Sequence, residues 1–499
     1  MIKPSVLPLP VLPVSVVIDI RRWILCLCVA VASLSCLPQA QAAAMGADEA
    51  QHLLGRAAFG ATPKELQEWE NLSRKQAVDK LLSSSSGKPI VPPPTWAKSD
   101  MDFPAFKALS VEDKKEYQKL QRTQNIELSA WWLSEMLNTS SPLTERMTLF
   151  WHNHFVSARN KVKAAELLNQ QNQLFRQNAL GNFATMLHEV ARNPAMMIYL
   201  DAGSNRKASP NENFAREVME LFTLGVGNYT EQDVKEAARA FTGWTIDRQT
   251  GEVNFRPRLH DGGAKTVLGV TGNLDSDAVL DILLSRPETA EFIVRKMWRE
   301  FVDETPSAAE EKEIQRIAKD FRASGYEIKI ALRSILLSDA FYDAANRGNL
   351  IKSPVDLVVG TLHILDIEVA DPRILVLQLR QLGQDIFNPP NVKGWPGGDD
   401  WINTSTLLSR KSFIDRLLRA EDMPDAGNMM NMRTAKMQKN GKFNLHFYAD
   451  DWFASLPKND PMAAQKVLLA EEPVIPPTGQ PNTLAWIRQL MLDPSYQLK

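Results

Sequence analysis

The amino-acid sequence predicts a mainly α-helical globular protein of many helices, with a small β-hairpin insertion near residues 244–270. Three observations indicate this fold class. Apolar residues recur at the spacing of helix turns along most of the chain, prolines and glycines separate these stretches, and one segment alternates apolar and polar residues as strands do. With 44% hydrophobic residues among 499, the chain can bury a large core.

The first 42 residues are predicted to be a signal peptide. Arg21 and Arg22 precede the apolar run WILCLCVAVASLSCL, and AQA ends at Ala42 with the small residues that a signal peptidase requires. The paired arginines also permit the twin-arginine route. We therefore expect cleavage near Ala42 and an exported, periplasmic or extracellular protein. No later apolar run reaches the ~20 residues of a transmembrane span.

Composition excludes several kinds of site. The three cysteines, Cys26, Cys28 and Cys36, all fall within the predicted signal peptide. The mature chain would therefore have no disulfide, no thiolate metal site and no cysteine nucleophile. A formal net charge of -2 leaves no basic excess to hold a phosphate backbone, so we expect no nucleic-acid partner.

Proline, glycine and serine clusters divide the mature chain into successive units. We expect an N-terminal helical unit at 43–82, a Pro/Ser linker at 83–100, a main helical domain at 101–420, a Met-rich linker at 421–442 and a C-terminal helical segment at 443–499. Within the main domain, WTIDRQTGEVNF turns at Thr250 and Gly251 like a hairpin, and TVLG can add a short strand.

The segment SPNENFAREVMELFTLG is predicted to be an amphipathic helix. Ser209 and Glu212 fit a capping box, and Gly225 is suited to a left-handed stop. Asn213 and Glu217 lie along one border of the apolar stripe. A solvated or salt-bridged border explains them; the alternative is that they line a polar pocket.

Histidines supply the other candidate groups. His152 and His154 form an H-x-H pattern in WHNHF, but residues two apart on a helix diverge by about 200°, so they cannot bind one ion. We expect His154 to face the core and His152 to face away. His154 is then either a hydrogen-bonded core histidine or a ligand. His260 and Asp261 lie in the polar loop RLHDGGAK, which fits either an Asx turn or a ligand-binding loop.

A bound divalent metal would need nitrogen and oxygen ligands, since the mature chain lacks cysteine. The most suitable set is His154, Glu217, His260 and Asp261. The sequence contains no H-E-x-x-H, G-x-S-x-G, Walker or G-x-G-x-x-G pattern that would indicate an enzyme class.

The loop KGWPGGDDW offers a different kind of site. Trp395 would stack on a sugar, and Asp399 would bind its hydroxyl groups. The alternative is that its tryptophans pin an irregular loop to the core.

Six motifs, in order along the chain, resemble the bacterial family called domain of unknown function 1800. They are LLGRAAFGATP, WHNHF, PNENFAREVMELFTLGVGNYTEQDVKEAARAFTGW, HDGGAKTVLG, KSPVDLVVG and FNPPNVKGWPGGDDWI. The resemblance covers nearly the whole mature chain and implies an exported, mainly helical protein. It also implies a partner from a sulfatase-like family, domain of unknown function 1501, which is often encoded beside such proteins. It assigns no catalytic residue.

Three hypotheses of function follow. The first is a metal-assisted or carboxylate–histidine hydrolase acting on an envelope or extracellular substrate, with Glu217 as ligand or general base and His154 or His260 as ligand or acid. The second is a non-catalytic binding or assembly partner of a secreted sulfatase-like protein. The third is a carbohydrate-binding protein that uses the Trp395 loop. The hydrolase requires its three residues to share one pocket.

Overall fold

Helices make up most of the chain, which confirms the mainly α fold class. The computed structural model describes residues 43–98, 104, 108–247, 249–419, 445 and 447–499, so the predicted signal peptide and the whole of the predicted Met-rich linker lie outside the described residues. The helices that precede the strands are α1 (Gly46–Ala57), α2 (Pro63–Trp69), α3 (Arg74–Ser83), α4 (Val111–Asn138), α5 (Pro142–His154), α6 (Ala165–Asn178), α7 (Phe183–Ala191), α8 (Pro194–Tyr199), α9 (Glu212–Glu220) and α10 (Glu231–Ala240). The helices that follow them are α11 (Ser276–Ser285), α12 (Pro287–Phe301), α13 (Ala308–Ala323), α14 (Ile328–Leu336), α15 (Asp339–Tyr342), α16 (Pro354–Ile364), α17 (Arg373–Gln381), α18 (Thr404–Leu418), α19 (Ala449–Ala454), α20 (Ala463–Leu468) and α21 (Leu484–Leu492). None of these described helices is both long enough and apolar enough to cross a membrane.

Two short antiparallel hairpins lie at the predicted insertion. The strands are β1 (Trp244–Ile246), β2 (Val253–Phe255), β3 (Lys265–Val267) and β4 (Val270–Gly272). β1 pairs with β2 around a turn in which Gly251 has a φ of 71°, and β3 pairs with β4. Leu268 and Gly269 join β3 to β4 with φ angles of 50° and 84°, the two left-handed residues that a two-residue hairpin turn requires.

Capping side chains set where the helices begin. Thr230 accepts a hydrogen bond from the Asp233 N–H, and the Asp233 carboxylate accepts one from the Thr230 N–H, which forms a capping box on α10. The predicted cap of α9 at Ser209 is wrong, because Ser209 still lies in a turn. Asn211 caps that helix instead, by accepting from the Asn213 N–H at 3.0 Å.

Long-range contacts join distant parts of the chain within one compact unit of residues 45–499. In the predicted Pro/Ser linker, Ile90 and Val91 donate their N–H groups to the Glu135 carboxylate on α4, at 3.1 and 2.7 Å. Trp131 Nε1 in turn donates to the Val91 carbonyl at 2.9 Å. The linker is thus fastened to the long helix α4, and near the other end of the chain α20 packs against α1.

Candidate functional site

Both histidines of WHNHF are buried at the carboxyl end of α5. His152 lies against Trp132 and Phe175, with ring centroids 4.7 Å apart in each case, and its Nε2 accepts from Asn172 Nδ2 at 3.0 Å. The prediction that His152 faces away from the core is wrong, because α4 and α6 both pack against α5. Burial lowers the pKa of His152 well below its usual value, and the charge of Arg176 adds to this effect.

His154 faces the core as predicted, and both of its ring nitrogens are used. Nε2 lies 3.2 Å from the Phe222 carbonyl, and Nδ1 lies 3.0 Å from Lys296 Nζ. Since a carbonyl only accepts, Nε2–H donates to it and Nδ1 accepts from the amine. Burial, and then the charge of Lys296, lowers the pKa of His154 well below its usual value. This neutral imidazole has no free lone pair for a metal.

Asn213 and Glu217 lie on the partly buried border of α9. Asn213 Nδ2 donates to the Leu200 carbonyl at 3.1 Å, which ties α9 to the end of α8. Burial and the neighbouring Glu220 raise the pKa of Glu217, whereas nearby cations, including Lys393, oppose the rise. No described residue hydrogen-bonds to the Glu217 carboxylate. Of the three predicted catalytic residues, Glu217 is therefore the one whose side-chain polar atoms are least engaged in hydrogen bonds with described residues.

His260 and Asp261 stabilise their own loop. His260 Nδ1 lies 2.9 Å from the Thr242 carbonyl. Asp261 accepts from Arg239 Nε at 2.7 Å and from the Gly263 N–H at 2.9 Å, and the latter is the Asx turn considered above. The Arg239 guanidinium lowers the pKa of Asp261 to about 2, so its charge is permanent and already paired.

The predicted metal ligands are not assembled. Within the described part of the chain, no three or more histidine, aspartate or glutamate side chains form a group that could hold a metal ion. The expectation that His154, Glu217, His260 and Asp261 form one ligand set is therefore corrected. The physical reason is that His154 and Asp261 have separate partners, a backbone carbonyl with a lysine in one case and an arginine in the other.

The tryptophan loop is pinned to the core. Trp395 and Trp401 are only 5% and 6% exposed, so neither ring offers a face to a sugar, and the stacking hypothesis at Trp395 is wrong. The Trp395 N–H donates to Asn153 Oδ1 at 2.6 Å. Gly394 has a φ of 97°, and a Cβ there would meet the Asn153 carbonyl oxygen at 2.7 Å. Asp399 is exposed beside this buried loop.

A large cleft lies elsewhere, and none of the predicted site residues lines it. It has a volume of about 1810 Å³ and is formed by α4, the segment 159–167, α8 with the turn after it, the β1–β2 hairpin and the segment after α17. Apolar side chains, including Leu167, Met197 and Ile246, line part of it. The cleft therefore combines apolar surface with the charged groups described next.

Basic side chains outnumber acidic ones in this cleft. The six basic residues are Arg122, Arg159, Lys161, Lys163, Arg206 and Arg380, and the three acidic residues are Asp201, Asp247 and Asp385. The whole chain carries a formal charge of -2, so this positive excess is local. We call the feature the basic cleft.

Two ion pairs lie within the basic cleft. Arg159 Nη2 contacts both oxygens of Asp385, one of them at 2.6 Å, and Lys161 Nζ contacts Asp201 Oδ2 at 2.6 Å. Asp201 has a φ of 57°, and Phe387, next to the lining residue Asn388, has a φ of 60°. Left-handed residues other than glycine are uncommon and concentrate at functional sites.

Two arginines of the basic cleft have no partner among the residues that the structure describes. Arg122 on α4 and Arg206 after α8 are exposed, and neither side chain forms a hydrogen bond or an ion pair with any residue that the structure describes. A guanidinium presents five N–H donors in a planar fork that matches carboxylate, sulfate or phosphate oxygens. Arg122 and Arg206 are therefore available to an anionic ligand.

Comparison with known proteins identifies the family. The model of the family described as Protein of unknown function (DUF1800) matches residues 52–498. The chain belongs to this family. No curated protein and no solved structure matches the chain. The DUF1800 match spans every segment that lines the basic cleft.

Sequence reasoning missed the basic cleft in this DUF1800 chain, although one signal was present. The segment ARNKVK, residues 158–163, follows WHNHF and carries three basic residues, all of which line the cleft. Arg122 and Arg206 lie in other segments and have no comparable local pattern.

Proposed function

We propose that this DUF1800 protein binds an acidic polysaccharide, with carboxylate or sulfate groups, in the basic cleft. The observation that carries the proposal is the excess of lysine and arginine over aspartate in one open cleft of a chain that is acidic as a whole. Such a concentration of one charge attracts oppositely charged ligands and speeds their association.

The size of the basic cleft supports an extended ligand. Small-molecule pockets enclose roughly 300–1,000 Å³. The basic cleft, at about 1810 Å³, is larger than that range. Its cations also come from four separate segments, which suits a chain of repeated charges better than one compact anion.

The available residues favour a polysaccharide over a nucleic acid. Proteins that bind single-stranded nucleic acids stack successive bases on aromatic side chains. Among the lining residues that the structure describes, Tyr117 is the only aromatic side chain. The expected export supports the same choice, because charged polysaccharides are abundant outside the cytoplasm.

The expected sulfatase-like partner fits this ligand class. A sulfatase hydrolyses sulfate esters, and a sulfated polysaccharide held by the basic cleft would supply them. The hydrolase hypothesis stays a prediction that rests mainly on Glu217, whose carboxylate is unpaired and whose pKa burial raises. The binding proposal requires neither a partner nor a reaction.

Binding measurements with three polymers test the proposal. We expect heparin and polygalacturonate to bind and neutral dextran not to bind. Arg122→Ala and Arg206→Ala should each weaken binding by about five-fold or more, since each removes a charge-assisted contact worth ~1 kcal/mol. If the polyanion follows counterion release as single strands do, each variant should also reduce the slope of log affinity against log salt by roughly 0.7.

A charge-matched control separates the cleft from general electrostatics. Lys319→Ala removes one positive charge from an exposed position on α13, outside the basic cleft, and should leave binding almost unchanged. Equal losses for Lys319→Ala and Arg206→Ala would overturn the proposal, as would binding of dextran equal to that of heparin. Tighter binding of single-stranded DNA than of either acidic polysaccharide would assign the cleft to nucleic acid instead.

A further inference from the structure

A second concentration of positive charge lies near the end of the chain, apart from the basic cleft. Arg410 on α18 is fully buried, and Gln497 and Lys499 are at most 8% exposed. Arg410 donates through Nη2 to the Lys352 carbonyl at 2.9 Å and through Nη1 to Gln497 Oε1 at 3.2 Å. Lys352 Nζ donates to the Tyr496 carbonyl at 2.9 Å. We call Lys352, Arg410, Gln497 and Lys499 the C-terminal cluster.

The carboxylates beside this cluster are already engaged. Asp356 Oδ2 accepts from Lys499 Nζ at 2.8 Å and from the Ser353 N–H at 3.0 Å, while Oδ1 contacts Arg146. Glu300, which is one-third exposed, pairs with Arg146 at 3.2 Å. Neither Lys352 nor Arg410 forms an ion pair with any carboxylate in the described part of the chain.

Donors in the C-terminal cluster also lack acceptors. Arg410 Nε and Gln497 Nε2 are buried and have no hydrogen-bond partner among the described residues. Such groups are rare in folded proteins, and each calls for an acceptor that the chain does not supply. Burial lowers the pKa of Lys352 to about 7, although part of this residue reaches the surface. The charge of Asp356 opposes this fall, and the charges of Arg410 and Lys499 add to it.

A small cavity touches this cluster. It has a volume of about 30 Å³ and is lined by Lys352, Lys499 and Asp356 together with apolar groups that include Gly60 and Leu468. A cavity of roughly 10–15 Å³ on this measure holds one water molecule, so this cavity has room for one small ion. Lys499 is already paired with Asp356 at 2.8 Å and lies 3.8 Å from Glu300, so the ammonium without a carboxylate partner among the described residues is that of Lys352.

We propose that this cavity binds one small monovalent anion, of the chloride class, held chiefly by the ammonium groups of Lys352 and Lys499. The anion would supply a counter-charge for Lys352, which lines the cavity, and its charge would also act on the neighbouring Arg410. It would bind the folded chain and not the unfolded one, so it would stabilise the fold in proportion to its occupancy. The site shares no lining residue with the basic cleft.

Thermal unfolding at constant ionic strength tests the proposal. Replacing sodium gluconate by sodium chloride should raise Tm in a saturable way, by about 2 °C or more when the site is full. Bromide should act as chloride does, and sulfate should give no saturable rise. Lys352→Met should abolish the chloride dependence, whereas Lys319→Met, at an exposed position on α13, should retain it.

Crystals of the wild-type protein soaked in bromide provide a second measurement that does not depend on any variant folding. Anomalous scattering should place one bromide beside Lys352 and Lys499. An ordinary water at that position, with no bromide, would overturn the proposal. A chloride dependence of equal size in the wild type and in a folded Lys352→Met variant would overturn it as well.

Discussion

The carboxyl end of α5 and the basic cleft are neighbours in sequence but opposite in physical chemistry. His152 and His154 end α5, buried among aromatic rings and neutral. Arg159 and Lys161, a few residues later, lie at the cleft and carry charge. A motif rich in histidine is therefore not by itself a reactive site. When aromatic residues surround the histidines, the ring nitrogens form their hydrogen bonds inside the core.

The buried region also contains a saturated ion pair, and breaking it should have the largest effect on stability. Arg176 Nε donates to Glu145 Oε1 at 2.6 Å, and Trp132 Nε1 donates to Glu145 Oε2 at 2.8 Å. Both members of the pair are almost fully buried. Glu145→Gln leaves the arginine charge uncompensated, which should lower the free energy of unfolding by about 3–5 kcal/mol in urea titrations.

An exposed pair provides the control for that variant. Glu313 and Arg316 on α13 form an ion pair at 2.6 Å whose side chains are one-third to one-half exposed. Glu313→Gln should change stability by less than ~1 kcal/mol, because solvent screens the charges. If the two variants cost the same, the contrast between a saturated interior and a solvated surface fails.

The second-largest effect on stability is expected from acid, because acid protonates histidines that are buried in the folded protein, among them His52 on α1. Burial lowers the pKa of His52 to about 3, and the charge of Arg56 adds to this effect. The unfolded histidine binds a proton near pH 6.5, whereas the folded one does not until about pH 3. Its contribution to stability is therefore complete above pH 6.5 and is lost as the pH falls towards 3, at about 1.4 kcal/mol per pH unit. His152 and His154 act in the same direction.

Urea midpoints measured between pH 7 and 4.5 check this prediction. His52→Asn should reduce the slope of the free energy of unfolding against pH by the contribution of about one proton. This holds even if the variant is less stable at pH 7. His188→Asn is the matched control, because that imidazole is partly exposed beside Asp277 and Asp281. An unchanged slope in His52→Asn would mean that this histidine becomes protonated within the folded protein.

Local patterns predicted those features that depend on a few neighbouring residues. The turn at Gly251 is of this kind and is confirmed. The capping box at Thr230 depends on an equally short range of residues. The inward position of His152 was missed because it depends on α4 and α6, which cover a helix face that periodicity alone leaves open. Ser209 fits a cap by spacing, but the turn that precedes α9 continues through it.

The basic cleft could not be predicted, for a related reason. Its cations come from segments as far apart as α4 and α17, and only the tertiary fold brings them together. The expected metal-ligand set of His154, Glu217, His260 and Asp261 was an inference of the same type, and no such group assembles among the described residues. Each of these residues was read from its own motif, but the sequence contained no information on how the three motifs pack.

The smallest effect on stability is expected in the basic cleft. Arg122 and Arg206 have no partner among the described residues, so replacing either by alanine should change the free energy of unfolding by less than about 0.5 kcal/mol. Arg159→Ala should cost more, because the only ion pair it leaves to Asp385 among the described residues is the longer one to Arg380, at 3.4 Å, beside a hydrogen bond from Asn388 at 3.1 Å. Urea titrations of the three variants, run beside polyanion binding, separate the two roles. Replacing an arginine that serves a ligand should weaken binding without reducing the free energy of unfolding. A loss of stability in Arg206→Ala equal to that in Arg159→Ala would show instead that the cleft charges stabilise the fold.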